Sequence, residues 1–177
     1  MNIKNYIISF GIFIFSFSFS CGLEEATSEV GNYKDGKKDG KWISYCEHEN
    51  KIQEGNYKDG EKQGKWVFYL EDGPIWYEEN YVDGIEHGEF ILYGYGNYNI
   101  FHKLKLENKK DGKLDGKSIH YHVNGAISRI LNYKNGEQNG TNIFYDKNGQ
   151  IYWHGNYKDG ELIDGDFVNS DKPLNLY

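Results

Sequence analysis

Residues 55–69 read GNYKDGEKQGKWVFY, and close variants of this segment recur along most of the chain. The first five copies contain a Gly-x-x-x-Gly pair, which loosens to Gly160/Gly165 in the sixth, and the leading glycines follow one another at intervals of 24 residues, with one interval of 28 residues. An asparagine stands four residues before each leading glycine, and a tyrosine follows the second glycine by five residues in the first five copies. The leading glycines are Gly36, Gly60, Gly84, Gly112, Gly136 and Gly160. A fixed period of this kind predicts a repeat protein in which each copy is one small structural unit.

Each copy is predicted to be a β-hairpin. The segment after the second glycine, such as residues 65–69, is rich in aromatic and β-branched residues and is too short for a helix. Pairs such as Asp59-Gly60 and Asn148-Gly149 favour the tight turns of hairpins, because these residues tolerate positive φ. The sequence therefore predicts an all-β fold, namely an extended antiparallel meander of repeated β-hairpins in a single-layer or solenoid-like sheet.

The N-terminal segment precedes the repeats and has a different composition. Residues 1–20 combine Lys4 with an apolar run too short for a membrane-spanning helix of ~20 residues, which indicates a signal peptide. We expect residues 21–30 to be a tether. Residues 31–168 are predicted to be the repeat domain, with six units of which the last is truncated, and residues 169–177 a C-terminal tail.

The end of this segment predicts an anchor. Cys21 follows the small residue Ser20, an arrangement that resembles the lipobox of bacterial lipoproteins, in which the cysteine is lipidated, although Ser18 stands where leucine is usual. The alternatives are plain secretion with cleavage nearby or an uncleaved anchor, and each of them still exports the chain. Glu24 and Glu25 resemble the acidic export signal of surface lipoproteins. The predicted location is therefore the cell envelope, at the outer membrane, with the membrane reached through the lipid on Cys21.

Only one other cysteine is present. If Cys21 carries the lipid, Cys46 has no partner for an intramolecular disulfide. We expect Cys46 to be a passive strand residue and the stability of the domain to come from packing.

Strand alternation separates two faces of the predicted sheet. One face carries residues that barely vary between units, and it is predicted to be the structural ladder: Ile43/Tyr45, Val67/Tyr69, Ile91/Tyr93, Ile119/Tyr121 and Ile143/Tyr145. The opposite face carries the candidate binding residues Trp42, Trp66, Phe68, Phe90 and Leu92. Two alternatives stay open for this second face. Either its aromatic side chains are an open recognition surface, or the sheet curls and buries them as a second small core.

The repeat unit at residues 55–69 resembles the bacterial MORN-repeat variant family, whose members include the YwqK-like antitoxin proteins. The resemblance covers residues 31–168 and departs from the usual aromatic positions at Lys109, Ser118 and Asn142. It implies an extended, non-enzymatic β-sheet protein that is used for interaction, with a toxin as one kind of partner.

Composition and motifs argue against several function classes. The formal charge is −7, from 20 basic and 27 acidic residues, and no basic stripe is present, so nucleic acid is not an expected partner. Hydrolase and phosphate-loop motifs are absent from the sequence, so no catalytic residue is assigned and no enzyme is expected. His120 and His122 have no indicated third ligand, and lysines interleave the acidic loops, so no metal or other cofactor is expected.

Three function classes remain for comparison. The preferred one is a lipid-anchored, non-enzymatic protein–protein interaction module that binds a protein partner of unknown identity. The alternative is a glycan-binding protein, with cell-wall glycan as its ligand, or a structural envelope scaffold, because tryptophan and tyrosine stack on sugars as readily as on side chains. A hydrolase is the third class, and it would need a concave polar site.

Overall fold

The computed structural model is a single antiparallel β-sheet built from consecutive hairpins. It describes residue 26 and residues 28–47, 49–70, 73–95, 101–168 and 174–175. The predicted signal peptide and Cys21 lie outside these described residues. Within them no helix is present, and hence none that is long and apolar enough to cross a membrane.

The strands follow the repeat along the chain. They are β1 (Ser28–Lys34), β2 (Lys37–Tyr45), β3 (Lys51–Lys58), β4 (Glu61–Tyr69), β5 (Ile75–Val82), β6 (Ile85–Glu86), β7 (Gly88–Tyr95), β8 (Phe101–Lys110), β9 (Lys113–Leu114), β10 (Gly116–Tyr121), β11 (Ile127–Lys134), β12 (Glu137–Gln138), β13 (Gly140–Tyr145), β14 (Ile151–Lys158), β15 (Glu161–Phe167) and β16 (Leu174–Asn175).

Neighbouring strands in the sheet are neighbours in sequence. The order is β1-β2-β3-β4-β5-β7-β8-β10-β11-β13-β14-β15-β16, and the two-residue strands β6, β9 and β12 pair with β5, β8 and β11. The predicted fold class is confirmed: the described chain is an all-β antiparallel meander that does not close on itself. Strand β1 begins three residues before the predicted start of the repeat domain, and β16 lies in the predicted tail.

Two-residue turns connect the strands along one edge of the sheet. At Asp59-Gly60 both residues have positive φ, 52° and 90°, as a type I′ hairpin turn requires. The predicted reversals at the leading glycines are confirmed. The same pair of positive φ angles recurs at Asp35-Gly36, Asp83-Gly84, Asp111-Gly112, Asn135-Gly136 and Asp159-Gly160.

The turns along the other edge are of a different kind. At Asn148-Gly149 only the glycine has positive φ, 83°, and its amide donates to the carbonyl of Asp146 at 3.0 Å. The Asp146 carboxylate accepts the amides of Asn148 and Gln150 at 2.8 and 2.9 Å. The position of this turn was predicted, but Asn148 does not take a positive φ, because the turn is a longer one that ends in a glycine bulge.

The second glycine of each early repeat belongs to a β-bulge. Between the cross-strand pairs Asn56–Gln63 and Glu54–Val67, the single residue Gly55 lies opposite three residues of β4. Gly64 takes a positive φ of 66° within this bulge. Lys62 and Trp66 lie on the same face on either side of this bulge, and the Lys62 ammonium lies 4.4 Å from the centroid of the indole ring.

Candidate functional site

One row of cross-strand partners crosses the sheet on the face that was predicted to carry the binding residues. We name it the central row; it comprises Glu29, Ser44, Gln53, Phe68, Tyr77, Leu92, Lys105, His120, Arg129, Phe144, Trp153 and Phe167. Its chemistry changes every few strands. An apolar segment (Phe68, Tyr77 and Leu92) is followed by a basic segment (Lys105, His120 and Arg129) and then by aromatic residues. The repeat thus keeps the backbone position constant while the side chains at that position vary.

The two tryptophans predicted for the binding face are buried. Trp42 and Trp66 are 3% and 1% exposed. Each indole N–H donates to a backbone carbonyl, that of Asn32 or Asn56, at 3.2 Å. For these two residues the structure matches the alternative in which the aromatic side chains form a core.

The other three predicted binding residues remain accessible in part. Phe68, Phe90 and Leu92 are half-buried. Phe68 stacks on Tyr77 with ring centroids 4.2 Å apart and an interplanar angle of 14°, and the Tyr77 and Phe90 centroids are 5.9 Å apart. Burial raises the pKa of Tyr77 to about 12, so its hydroxyl stays neutral. These side chains form one continuous aromatic patch, to which sequence reasoning did not assign Tyr77 because it lies on a return strand.

Lysine side chains border this patch. The Lys62 ammonium lies 5.1 Å from the Phe68 ring centroid, and those of Lys105 and Lys109 lie 5.2 Å from the Phe90 centroid. Burial lowers the pKa of Lys62. Cations at such distances interact favourably with aromatic rings. Two of these lysines are also paired with glutamates, Lys105 with Glu107 at 3.0 Å and Lys109 with Glu86 at 2.6 Å.

The face predicted to be the structural ladder also contains carboxylates. Glu54 is paired with Lys41 and Lys51, each at 2.9 Å, and accepts the Tyr69 hydroxyl at 2.5 Å. Hydrogen bonds from Tyr69, Lys51 and Lys41 lower the pKa of Glu54 to about 2. Sequence analysis missed this cluster, because only the outgoing strands were compared and Glu54 lies on the return strand β3.

Polar residues replace tryptophan in the fourth and fifth repeats. Ser118 and Asn142 are each 1% exposed. The Ser118 hydroxyl donates to Glu107 at 3.1 Å, and Asn142 accepts the amide of Asn132 at 2.8 Å. Hydrogen bonds satisfy these buried groups, which explains how the sheet tolerates two of the departures from the aromatic pattern.

An open pocket of about 290 Å³ lies where the basic segment meets the aromatic end of the central row. It is lined by Leu104, His120, Tyr121, His122, Ser128, Arg129, Phe144, Tyr145 and Tyr152. Because Arg129 can only donate, its contact at 3.3 Å makes Nδ1 of His120 an acceptor. Burial, with Arg129 and Lys105 nearby, lowers the pKa of His120 to about 4, so its ring is neutral at pH 7.

The spacing of His120 and His122 does not give a pair of free metal ligands. Nε2 of His120 lies 3.1 Å from the Ser118 hydroxyl, and Nδ1 faces the Arg129 cation. Nε2 of His122 lies 2.9 Å from the carbonyl of Tyr145, to which it donates. Within the described residues no group of three metal-ligating side chains is present.

Cys46 is buried, with 1% exposure, and lies directly after β2 rather than within a strand. It is disulfide-bonded, contrary to the expectation that it would have no partner. That expectation depended on the lipidation of Cys21, the other cysteine of the sequence, which lies outside the described residues.

Comparison of the sequence with protein-family models finds no match, and comparison with curated proteins finds none either. The resemblance to the MORN-repeat variant family therefore stays a prediction.

Proposed function

We propose that the protein is a non-enzymatic protein–protein interaction module of the cell envelope. One observation carries the proposal: the apolar segment Phe68, Tyr77 and Leu92 is contiguous across β4, β5 and β7 and continues into the basic segment. Aromatic residues that are grouped together and only half-buried are typical of interface hot spots. Repeat sheets of this kind offer extended surfaces to their partners.

The neighbouring charges suggest the chemistry of the partner. Lys62, Lys105 and Lys109 border the aromatic patch. Lys105 and Lys109 are paired with Glu107 and Glu86, so Lys62 is the one of the three for which the described residues show no ion pair. A partner that brings an apolar contact and an acidic side chain near Lys62 is complementary to this surface. The resemblance to YwqK-like antitoxin proteins makes a toxin one candidate for such a partner.

The location forms part of the same proposal. The signal peptide at residues 1–20 and the lipobox-like Cys21 support an exported protein, anchored by lipid and held at the outer membrane. The disulfide at Cys46 supports export on its own, because disulfides persist in oxidising compartments. If its partner is Cys21 of the same chain, that sulfur cannot also carry the lipid, and export without the lipid anchor is the alternative.

Glycan binding or a structural envelope role is the second candidate. The observation that favours glycan binding is the pocket beside Arg129, where tyrosine and phenylalanine rings surround polar groups. This pocket lies on other strands than the apolar segment, so the two functions can be tested separately.

The protein-binding proposal is tested by cross-linking in intact envelopes, followed by affinity measurement with the protein that is captured. Leu92→Ala should weaken that affinity about fivefold or more, which corresponds to ~1 kcal/mol for a contact at the centre of an interface. Lys62→Gln should weaken binding as well if the partner is acidic. Leu162→Ala is the matched control, since Leu162 is 44% exposed on β15 and lies outside the central row. Unchanged affinity in both test variants would contradict the proposal.

A further inference from the structure

We infer that the pocket beside Arg129 binds a sugar acid, that is, a monosaccharide unit carrying a carboxylate, with the Arg129 guanidinium as the contact for that carboxylate. The inference rests on the glycan-binding alternative and names its ligand class. It is independent of the protein-binding surface around Leu92.

Arg129 is the single arginine in the sequence, among 19 lysines. Its side chain is exposed, and it makes a hydrogen bond to His120 at 3.3 Å. Among the described residues no carboxylate lies within ion-pair distance of Arg129, although many lysines in this sheet are paired with glutamates. A guanidinium has five N–H donors in a planar fork, so one contact leaves donors that match both oxygens of a carboxylate.

A chain of hydrogen bonds holds this guanidinium in place. Nδ1 of His120 accepts from Arg129, so Nε2 carries the proton and donates to Ser118 at 3.1 Å. Ser118 donates to Glu107 at 3.1 Å, and Glu107 is paired with Lys105 at 3.0 Å. Ser118 and Glu107 are buried, so the end of this hydrogen-bond network that lies away from Arg129 is fixed in the sheet. The carboxylate of Glu107 is paired with Lys105, and Arg129 is the one cationic side chain among the described residues that line the pocket.

The rest of the pocket matches a sugar ring. The hydroxyl groups of Ser128, Tyr145 and Tyr152 can donate or accept, and Nδ1 of His122 is an acceptor because Nε2 donates to the carbonyl of Tyr145. The aromatic ring of Tyr152 is 43% exposed, and it can pack against the apolar C–H face of a pyranose. A volume of about 290 Å³ lies at the small end of ligand pockets, which suits one sugar unit.

Other anions fit this lining less well. A fatty or simple aromatic acid would leave the hydroxyls and the His122 acceptor unpaired, at a cost in free energy for each group that is desolvated. A phosphate group carries more charge than one guanidinium neutralises, and Lys105 is already paired with Glu107. A sugar ring that carries several hydroxyl groups and one carboxylate can instead pair with the lining hydroxyls, with the His122 acceptor and with Arg129.

The test uses purified protein that lacks residues 1–20 and titrates it with short oligomers of glucuronic and galacturonic acid. Glucose and cellobiose serve as the neutral counterparts, and saturation-transfer NMR and calorimetry detect binding. We expect the acidic sugars to bind and the neutral sugars to bind at least tenfold more weakly. Arg129→Gln should weaken the binding of acidic sugars at least tenfold, and Tyr152→Ala should weaken it as well.

Lys134→Gln is the matched control, because it removes one positive charge from an exposed position on the same strand, β11. It should leave binding unchanged, and melting curves should show that all variants are folded. Equal affinity for acidic and neutral sugars, unchanged binding in Arg129→Gln, or binding of no acidic sugar at millimolar concentration would overturn the inference. Binding of neutral sugars regardless of Arg129 would overturn it while retaining the glycan-binding alternative.

Discussion

Trp66 lies flat against the backbone of Gly55. A Cβ atom at position 55 would lie 2.2 Å from Cδ2 of the indole, so only glycine leaves room for the ring. The same relationship joins Trp42 to Gly31, where the corresponding distance is 2.3 Å. The glycine that begins the Gly-Asn-Tyr motif therefore packs against the indole ring of a tryptophan eleven residues later.

The first prediction concerns this pair. Gly55→Ala should destabilise the domain by ~1–3 kcal/mol, because the new methyl group forces the indole out of its place. Trp66→Ala should cost ~3–5 kcal/mol through the loss of buried aromatic surface. In the double variant the total should be smaller than the sum of the two, because the methyl group meets no ring once the tryptophan is gone. Denaturant unfolding measures all three values, with Lys58→Ala as an exposed control on β3. A neutral Gly55→Ala would contradict this account of the packing.

The second prediction concerns the two-residue turns. Asp59 has a φ of 52°, a region that β-branched residues avoid. Asp59→Val should therefore cost ~1–2 kcal/mol, whereas Asp59→Asn should be nearly neutral because asparagine tolerates this conformation. Lys58→Val places the same side chain one residue earlier, on extended backbone, and should not destabilise the fold. Equal melting temperatures for Asp59→Val and Lys58→Val would contradict the positive φ of Asp59 in this turn.

A third prediction follows from the carboxylate cluster around Glu54. Its pKa lies at about 2, below its ordinary value of 4.5, so ionised Glu54 stabilises the folded state above pH 4.5. That contribution should disappear as the pH falls from 4.5 towards 2. At pH 7 Glu54→Gln should melt at a lower temperature than the unmodified protein, and the gap should narrow across this pH window.

Glu61→Gln is the control for that experiment, since Glu61 is exposed on β4. The melting temperature of this variant should change with pH in the same way as that of the unmodified protein. A gap between Glu54→Gln and the unmodified protein that stays constant down to pH 2 would mean that Glu54 is not held by Tyr69 and the two lysines.

The hairpin repeat could be predicted because its signals are local. Asp59-Gly60 imposes its turn through its own backbone preferences, and the alternation of residues 65–69 needs only strand geometry. Both signals recur in every early unit, so each copy supports the others. Fold class and most turn positions were therefore readable from sequence.

Burial could not be read in the same way, because it depends on the neighbouring strand. Trp66 was assigned to a candidate surface since it alternates with Val67, but its burial depends on Gly55 in β3 and on the bulge at Gly64. The pocket at Arg129 was missed for a similar reason, since it gathers residues from several adjacent strands. Writing the units in register, with return strands included, would have revealed the central row and its basic segment.

The last prediction concerns the two cysteines. A lipid thioether on Cys21 and a disulfide between the two cysteines of one chain exclude each other, because both use the same sulfur. The structure has Cys46 in a disulfide, so we expect its thiol to appear only after reduction and Cys46→Ser to lower the stability by ~2–4 kcal/mol. Mass spectrometry of the membrane and soluble fractions, with and without reduction, detects both modifications. A Cys46 thiol that reacts with a maleimide after unfolding but without reduction would contradict the disulfide. A lipid mass on Cys21 in the membrane fraction, lost together with membrane attachment in Cys21→Ser, would retain the anchor and require that Cys46 be paired outside its own chain. A soluble protein without lipid, in which two thiols appear only after reduction and Cys46→Ser costs ~2–4 kcal/mol, would overturn the anchor and retain export.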